Sequence, residues 1–193
     1  AGERLRVTAQ LVKTADGFQL WSERYDRVMR DMFDIQDEIS QAIVDKLKVR
    51  LAGEKGAPLV KRYSVDPEAY NLYLKGRHHW NKRTVEGYRK SMEHYQEACA
   101  KDPEFALPYV GLADANLAST WYGSRNPRDA IPKVEGLLKK ALEIDAALAE
   151  AHASLGFLCG AFLWNWRKAE SSFERSIRLN PNFATAYFNR GAA

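Results

Sequence analysis

The chain has 193 residues, 46% of them hydrophobic and 28% charged, with a formal net charge of +4. No apolar run approaches the roughly 20 residues that a membrane helix needs, and the N-terminal "AGERLRVTAQ" lacks the apolar core of an export signal. The basic excess is spread evenly: Lys and Arg outnumber Asp and Glu by 12 to 10 in residues 1–62 and by 17 to 15 in the remainder. A nucleic-acid surface gathers its cations on one face, so no nucleic-acid contact is expected from this segment.

In chain order, "RLRVTAQLVK" alternates and places Leu5, Val7, Ala9 and Leu11 on one side, the pattern of a strand with a buried face. "TADG" carries the Asp-Gly pair of tight hairpins, and "FQLWSERYD" reads as the return strand. "DMFDIQDEISQAIVDKLKVRL" then spaces Ile35, Ile39, Ile43, Leu47 and Leu51 every four residues, an amphipathic helix. Asp31, Asp34 and Asp37 lie early and Lys46, Lys48 and Arg50 late, which suits the helix dipole. These elements predict a hairpin-plus-helix segment over 1–52, followed by a flexible link over 53–65 around "AGEKGAP". Two strands are marginal alone in water, and open strand edges recruit partners. Two copies are therefore expected to pair through residues 5–25, a homodimer.

Residues 66–193 repeat. "DPEAY" at 66, "DPEFALPY" at 102, "DAALAEAH" at 145 and "NPNFATAY" at 180 recur at intervals of 36, 43 and 35 residues. At each join the Asp or Asn is expected to cap the following helix, with Pro in its first turn. Within each interval the sequence predicts two amphipathic helices. The second of the first interval carries Tyr88, Ser91, Met92, Tyr95, Ala98 and Cys99, with Thr84 as its N-cap. The units are expected at about 66–103, 104–146 and 147–181, with a partial unit at 182–193. The half unit "LNPNFATAYFNRGAA" presents Tyr187 and Gly191 at packing positions and reads as part of an array that continues past residue 193.

These units resemble the tetratricopeptide repeat (TPR) family, whose pattern runs W-x2-L-G-x2-Y, then A-x3-F-x2-A, then P. The third unit matches it with His152, Leu155, Gly156, Cys159, Ala169, Phe173, Ser176 and Pro181. In the first, Leu74 stands where the small residue belongs. The resemblance implies a mainly α chain: a right-handed solenoid of about three and a half helix pairs. It also implies a protein or peptide partner on the concave face. On that register Asn71, Lys75, His78, Val110, Asp114, Leu117, Ala153, Phe157 and Phe188 face the groove. The residue types do not reproduce the family's carboxylate clamp. Residues 6–47 are similar to the end of the TolB-like α/β domain that precedes such arrays in bacterial signalling proteins. This second resemblance implies a regulatory segment of a larger cyclase, kinase or winged-helix regulator, in the cytoplasm.

Candidate chemistry is sparse. His78 and His79 are adjacent and His94 and His152 isolated, so the i, i+4 geometry of a helical zinc site is missing and no metal is expected. Cys99 and Cys159 read as reduced, buried thiols. Glu23 and Asp26 sit near Arg24 and Arg27 as a wet strand end. The sequence contains no P-loop, no GxGxxG and no GxSxG, so neither catalysis nor a cofactor is expected. Trp80, Trp121, Trp164 and Trp166 read as packing residues near the within-unit turns, with an aromatic binding rim as the alternative. The competing readings are an interaction scaffold, a regulatory segment and a self-assembly module.

Overall fold

The computed structural model describes residues 4–12, 17, 19–28, 38–39, 42 and 66–192. The chain divides into two parts, Ala1–Pro67 and Glu68–Ala193.

In the first part β1 (Arg4–Val12) and β2 (Gln19–Val28) form an antiparallel hairpin. Val7 pairs with Tyr25 and Leu11 with Trp21, and the register shifts between Leu11 and Val12. The alternation sorts as the sequence predicts: Arg4, Arg6, Thr8 and Gln10 are exposed, Val7 and Ala9 half-buried. On the polar face the Arg6 guanidinium donates to Asp26 at 2.8 Å. Asp26 thus takes a partner across the ladder, where opposed side chains share a face. Between the strands, the described Gly17 adopts φ +71°; the rest of the expected turn lies outside the described residues. The helix expected over 31–51 lies largely outside the described residues; Glu38, Ile39 and Ala42 within it are helical. The expected link over 53–65 lies wholly outside them.

In the second part, seven helices follow among the described residues. They are α1 (Pro67–Trp80), α2 (Val85–Lys101), α3 (Ala106–Trp121) and α4 (Pro127–Ile144). Then come α5 (Ala149–Ala161), α6 (Trp166–Leu179) and α7 (Ala184–Ala192). Each of α3 and α5 packs on the helix after it, and α3 also packs on α5, as α5 does on α7. The first helices therefore line up side by side as an inner layer. This explains a compositional split. α3 and α5 are buried on nearly every face, from Ala106 to Thr120 and from Ala149 to Gly160, so they lack a polar stripe. The partner helices keep one buried stripe at three- and four-residue steps: Tyr88, Ser91, Met92, Tyr95 and Ala98 in α2, and Ala169, Ser172, Phe173 and Ser176 in α6.

Large rings interlock with glycines. A β-carbon on Gly156 would stand 2.7 Å from the ring of Phe173, and one on Gly111 would stand 2.6 Å from the ring of Tyr95. Gly76 faces the same Tyr95 ring. The small residue of the first unit is therefore Gly76, two positions beyond Leu74, and Leu74 is exposed. An aromatic ring at this depth needs a neighbour without a side chain, and the register follows from that contact.

The joins between units also differ from the sequence expectation. Asp102, Asp145 and Asn180 close the preceding helices instead of opening the next. Each donates its N–H to the carbonyl four residues back: Ala98, Ala141 and Ser176. Each side chain then accepts from the N–H two residues on, at Glu104, Ala147 and Asn182. These are Asx turns. Pro103 and Pro181 lie in those turns; Pro67 alone of the three opens a helix. The N-cap positions of α3 and α5 are the buried apolar Phe105 and Leu148, which make no side-chain cap bond. One position in the repeat reaches back over each turn. The Tyr109 and Tyr187 hydroxyls donate to the carbonyls of Pro103 and Pro181, and His152 Nε2 lies 3.1 Å from that of Ala146. The within-unit turns use true side-chain caps: Thr84, Asn126 and Asn165 accept from Gly87, Arg128 and Lys168.

Candidate functional site

The aligned inner helices leave a cavity of about 420 Å³. The end of α1 and its following turn supply Trp80 and Arg83. α3 supplies Asp114, Leu117, Ala118 and Trp121, with Tyr122 just beyond it, and α5 supplies Phe157. α7 closes the cavity with Ala184, Thr185, Phe188, Asn189 and Ala192. The lining comes mostly from residues one helical turn apart, the face that a first helix turns away from its own partner.

Of the nine positions that the sequence placed on the groove, Asp114, Leu117, Phe157 and Phe188 line this cavity. Val110 and Ala153 are buried in the packing, at 3% and 1% exposure. Asn71, Lys75 and His78 are not among the lining residues. With Gly76 as the small residue, each first-unit position moves on by two, to Tyr73, Arg77 and Trp80. Trp80 does line the cavity, and Arg77 lies 5.6 Å from its ring. The sequence signal for this shift was the glycine of "LKGRHHW", which aligns with the glycine of "SLGFLCG". Thr185, Asn189 and Arg83 carried no such signal.

The cavity wall is aromatic. Trp121 contacts Phe157 and Phe162, with ring centroids 5.6 and 6.1 Å apart, and Tyr122 stacks on Tyr88. Trp121 is 53% exposed, and Trp164 and Trp166 are exposed as well. These three serve as surface aromatics rather than the packing residues that the sequence favoured. Each lies at or near a helix end: Trp121 still reaches Phe157 of α5, while Trp164 and Trp166 contact each other.

The polar groups are few and specific. Asp114 Oδ1 accepts from the Ser154 hydroxyl of α5 at 2.5 Å. Burial pushes the Asp114 carboxyl up to about 6, against the pull of the Ser154 hydrogen bond and of Arg77 and Arg83. The Arg83 guanidinium carbon lies over the Trp80 indole, 3.9 Å from its centroid. Its backbone takes φ +52°, a conformation costly for a residue with a β-carbon.

Elsewhere, His94, isolated in the sequence, stacks on His79 with centroids 5.4 Å apart. Among the described residues, no group of three or more His, Cys, Asp or Glu side chains is placed to hold a metal ion. Cys99 and Cys159 are free thiols, and burial pushes Cys99 up to about 12. No helix among the described residues is long and apolar enough to cross a membrane.

An array of paired helices, ring against glycine and Asx turn at each join, is the fold of tetratricopeptide-repeat domains. Solved structures agree. The first TPR domain of Spaghetti (RPAP3) bound to an HSP90 peptide superposes with a TM-score of 0.50 at 18% identity, covering 65% of this chain and 89% of that one. The Arabidopsis OM64 TPR domain gives 0.50 at 20% identity, covering 65% and 93%. The first TPR domain of human RPAP3 gives 0.51 at 18% identity, covering 65% and 88%. No protein-family model matches the chain. Among curated proteins, "Putative adenylate cyclase 3" of Rhizobium meliloti (strain 1021) is 32% identical over 177 residues. The match covers 89% of this chain, which spans 29% of that protein's length.

Proposed function

We propose that the helical part is a non-catalytic interaction scaffold that holds a peptide or partner segment in the groove of its first helices. The observation that carries this reading is the aromatic cavity walled by α1, α3, α5 and α7. A concave apolar site with a few placed polar groups is the usual form of a binding pocket. The Spaghetti domain, which shares the fold, is bound to an HSP90 peptide. Here the groove residues are Asp114, Leu117, Phe157 and Phe188, joined by Trp80, Arg83 and Trp121. Selection of peptides from a random display library tests the reading. Selected peptides should lose at least about tenfold in affinity on Phe157→Ala, as for a central aromatic anchor. Peptides indifferent to Phe157→Ala, Trp121→Ala and Phe188→Ala would overturn it.

A second reading is favoured by the relative from Rhizobium meliloti. On it, the chain is a regulatory segment of a larger cytoplasmic signalling protein, and residues 1–52 are the end of a TolB-like α/β domain. The hairpin also supports pairing of two copies through residues 5–25: among the described residues the sheet has two strands, and strand edges recruit partners. Sedimentation with and without residues 1–62 tests that pairing: a mass of one chain at high concentration would refute it. No contact with nucleic acid or membrane is proposed.

A further inference from the structure

We propose that the groove reads a basic side chain, a lysine or arginine of an extended partner segment, with Asp114 as its counter-ion and the rings of Trp121 and Phe157 as its walls. The inference rests on the groove-binding reading above and names the ligand chemistry.

Arg83 is exposed, keeps its hydration, and lies against the Trp80 indole at 3.9 Å. It gains little from a partner. Asp114 is the opposite case. It is half-buried in an apolar wall, and among the described residues its hydrogen-bond donor is the Ser154 hydroxyl on Oδ1. Arg77 and Arg83 act on it through their charge, and the side-chain hydrogen bond comes from Ser154. A desolvated carboxylate gains more from a cationic donor than from a neutral one. Aromatic faces add to that preference, because a ring quadrupole attracts a cation. Trp121 and Phe157 stand 5.6 Å apart, one helix over from each other, and both line the same cavity as the carboxylate. An acidic ligand would meet Asp114 across an apolar space, which costs more than Arg83 at the rim returns.

The groups that face Asp114 set its pH response. They are Arg77 and Tyr73 from α1, Arg83 from the following turn, Tyr95 from α2, and Glu150 and Ser154 from α5. A cationic ligand needs Asp114 ionised. Binding should therefore be near full at pH 7.5 and fall as pH drops through about 6, the value to which burial raises Asp114.

The test uses three blocked tripeptides, acetyl-Leu-X-Leu-amide, with X lysine, norleucine or glutamate. Binding is read from the indole N–H resonances of Trp80 and Trp121. The lysine peptide should bind at least about tenfold tighter than the norleucine peptide at pH 7.5, as a charge-assisted bond predicts. The preference should vanish in Asp114→Asn. With wild-type protein alone, it should shrink about tenfold between pH 7.5 and pH 5. Equal binding of lysine and norleucine peptides would overturn the inference and leave the groove reading standing. Tighter binding of the glutamate peptide would overturn it too, and would make Arg83 the reader. Indole resonances unmoved by all three peptides at 10 millimolar, on the order of the weakest measurable affinity, would overturn both.

Discussion

The ring of Phe173 occupies the space beside Gly156, so that a β-carbon there would stand 2.7 Å from the ring edge. Phe173 is 2% exposed and packed with Cys159 and Ala169, and it has nowhere to retreat. Gly156→Ala should therefore destabilise the helical part by about 1–3 kcal/mol, although alanine is the better helix former. Gly136, in the exposed face of α4, has nothing within 4 Å of its would-be β-carbon. Gly136→Ala should stabilise by up to about 1 kcal/mol. Thermal unfolding followed by circular dichroism separates the two. Equal effects of one sign would refute the ring-against-glycine account.

Trp164 pays for its place on the surface with a left-handed backbone, φ +53°. Its side chain is 73% exposed and touches Trp166. Trp164→Gly should raise stability by about 0.5–1 kcal/mol through relief of that conformation, while Trp164→Ala should not. Denaturant unfolding of both variants gives the comparison, and an alanine variant as stable as the glycine one would count against strain at this position.

Asn165 follows it and caps α6, its side chain accepting from Lys168 N–H at 3.1 Å. Asn165→Ala should cost about 1 kcal/mol and Asn165→Asp close to nothing, since either oxygen accepts the bond. In contrast, the N-cap position Phe105 makes no such bond, and its substitution by Ser should be destabilising because the ring is fully buried. Urea midpoints measure all three.

Asp114 makes stability depend on pH in a direction opposite to most carboxylates. Its folded value of about 6 lies above the ordinary 3.8, so the folded state binds more protons between those values. Stability from this group is then highest at low pH and falls as pH rises from about 4 to 6. Asp114→Asn, which keeps the acceptor for Ser154, should be more stable than the wild type at pH 7 by about 1–2 kcal/mol, discounted for the partial exposure of the site. The gap should close by pH 4. A gap that widens toward acid would show that Asp114 is held ionised in the folded state.

Much of the helical part is legible in local chemistry. The stripe of α2 from Tyr88 to Ala98 and the Thr84 cap follow from spacing and propensity, because each depends on residues within a few turns of one another. Strand alternation from Arg4 to Gln10 is local for the same reason. Three things were decided only by the tertiary structure. The register of α1 was set by Tyr95, nineteen positions beyond Gly76 in the sequence and pressed against it in space. The role of Asp102, Asp145 and Asn180 was set by where the preceding helix ends, which buried Phe105 and Leu148 dictate from the far side of each turn. The lining of the cavity was set by both: α1 contributes Trp80, two positions beyond His78. Spacing along one helix orders its faces relative to each other, but which face looks into a groove is fixed by contacts with the next helix, and those carry no local signature.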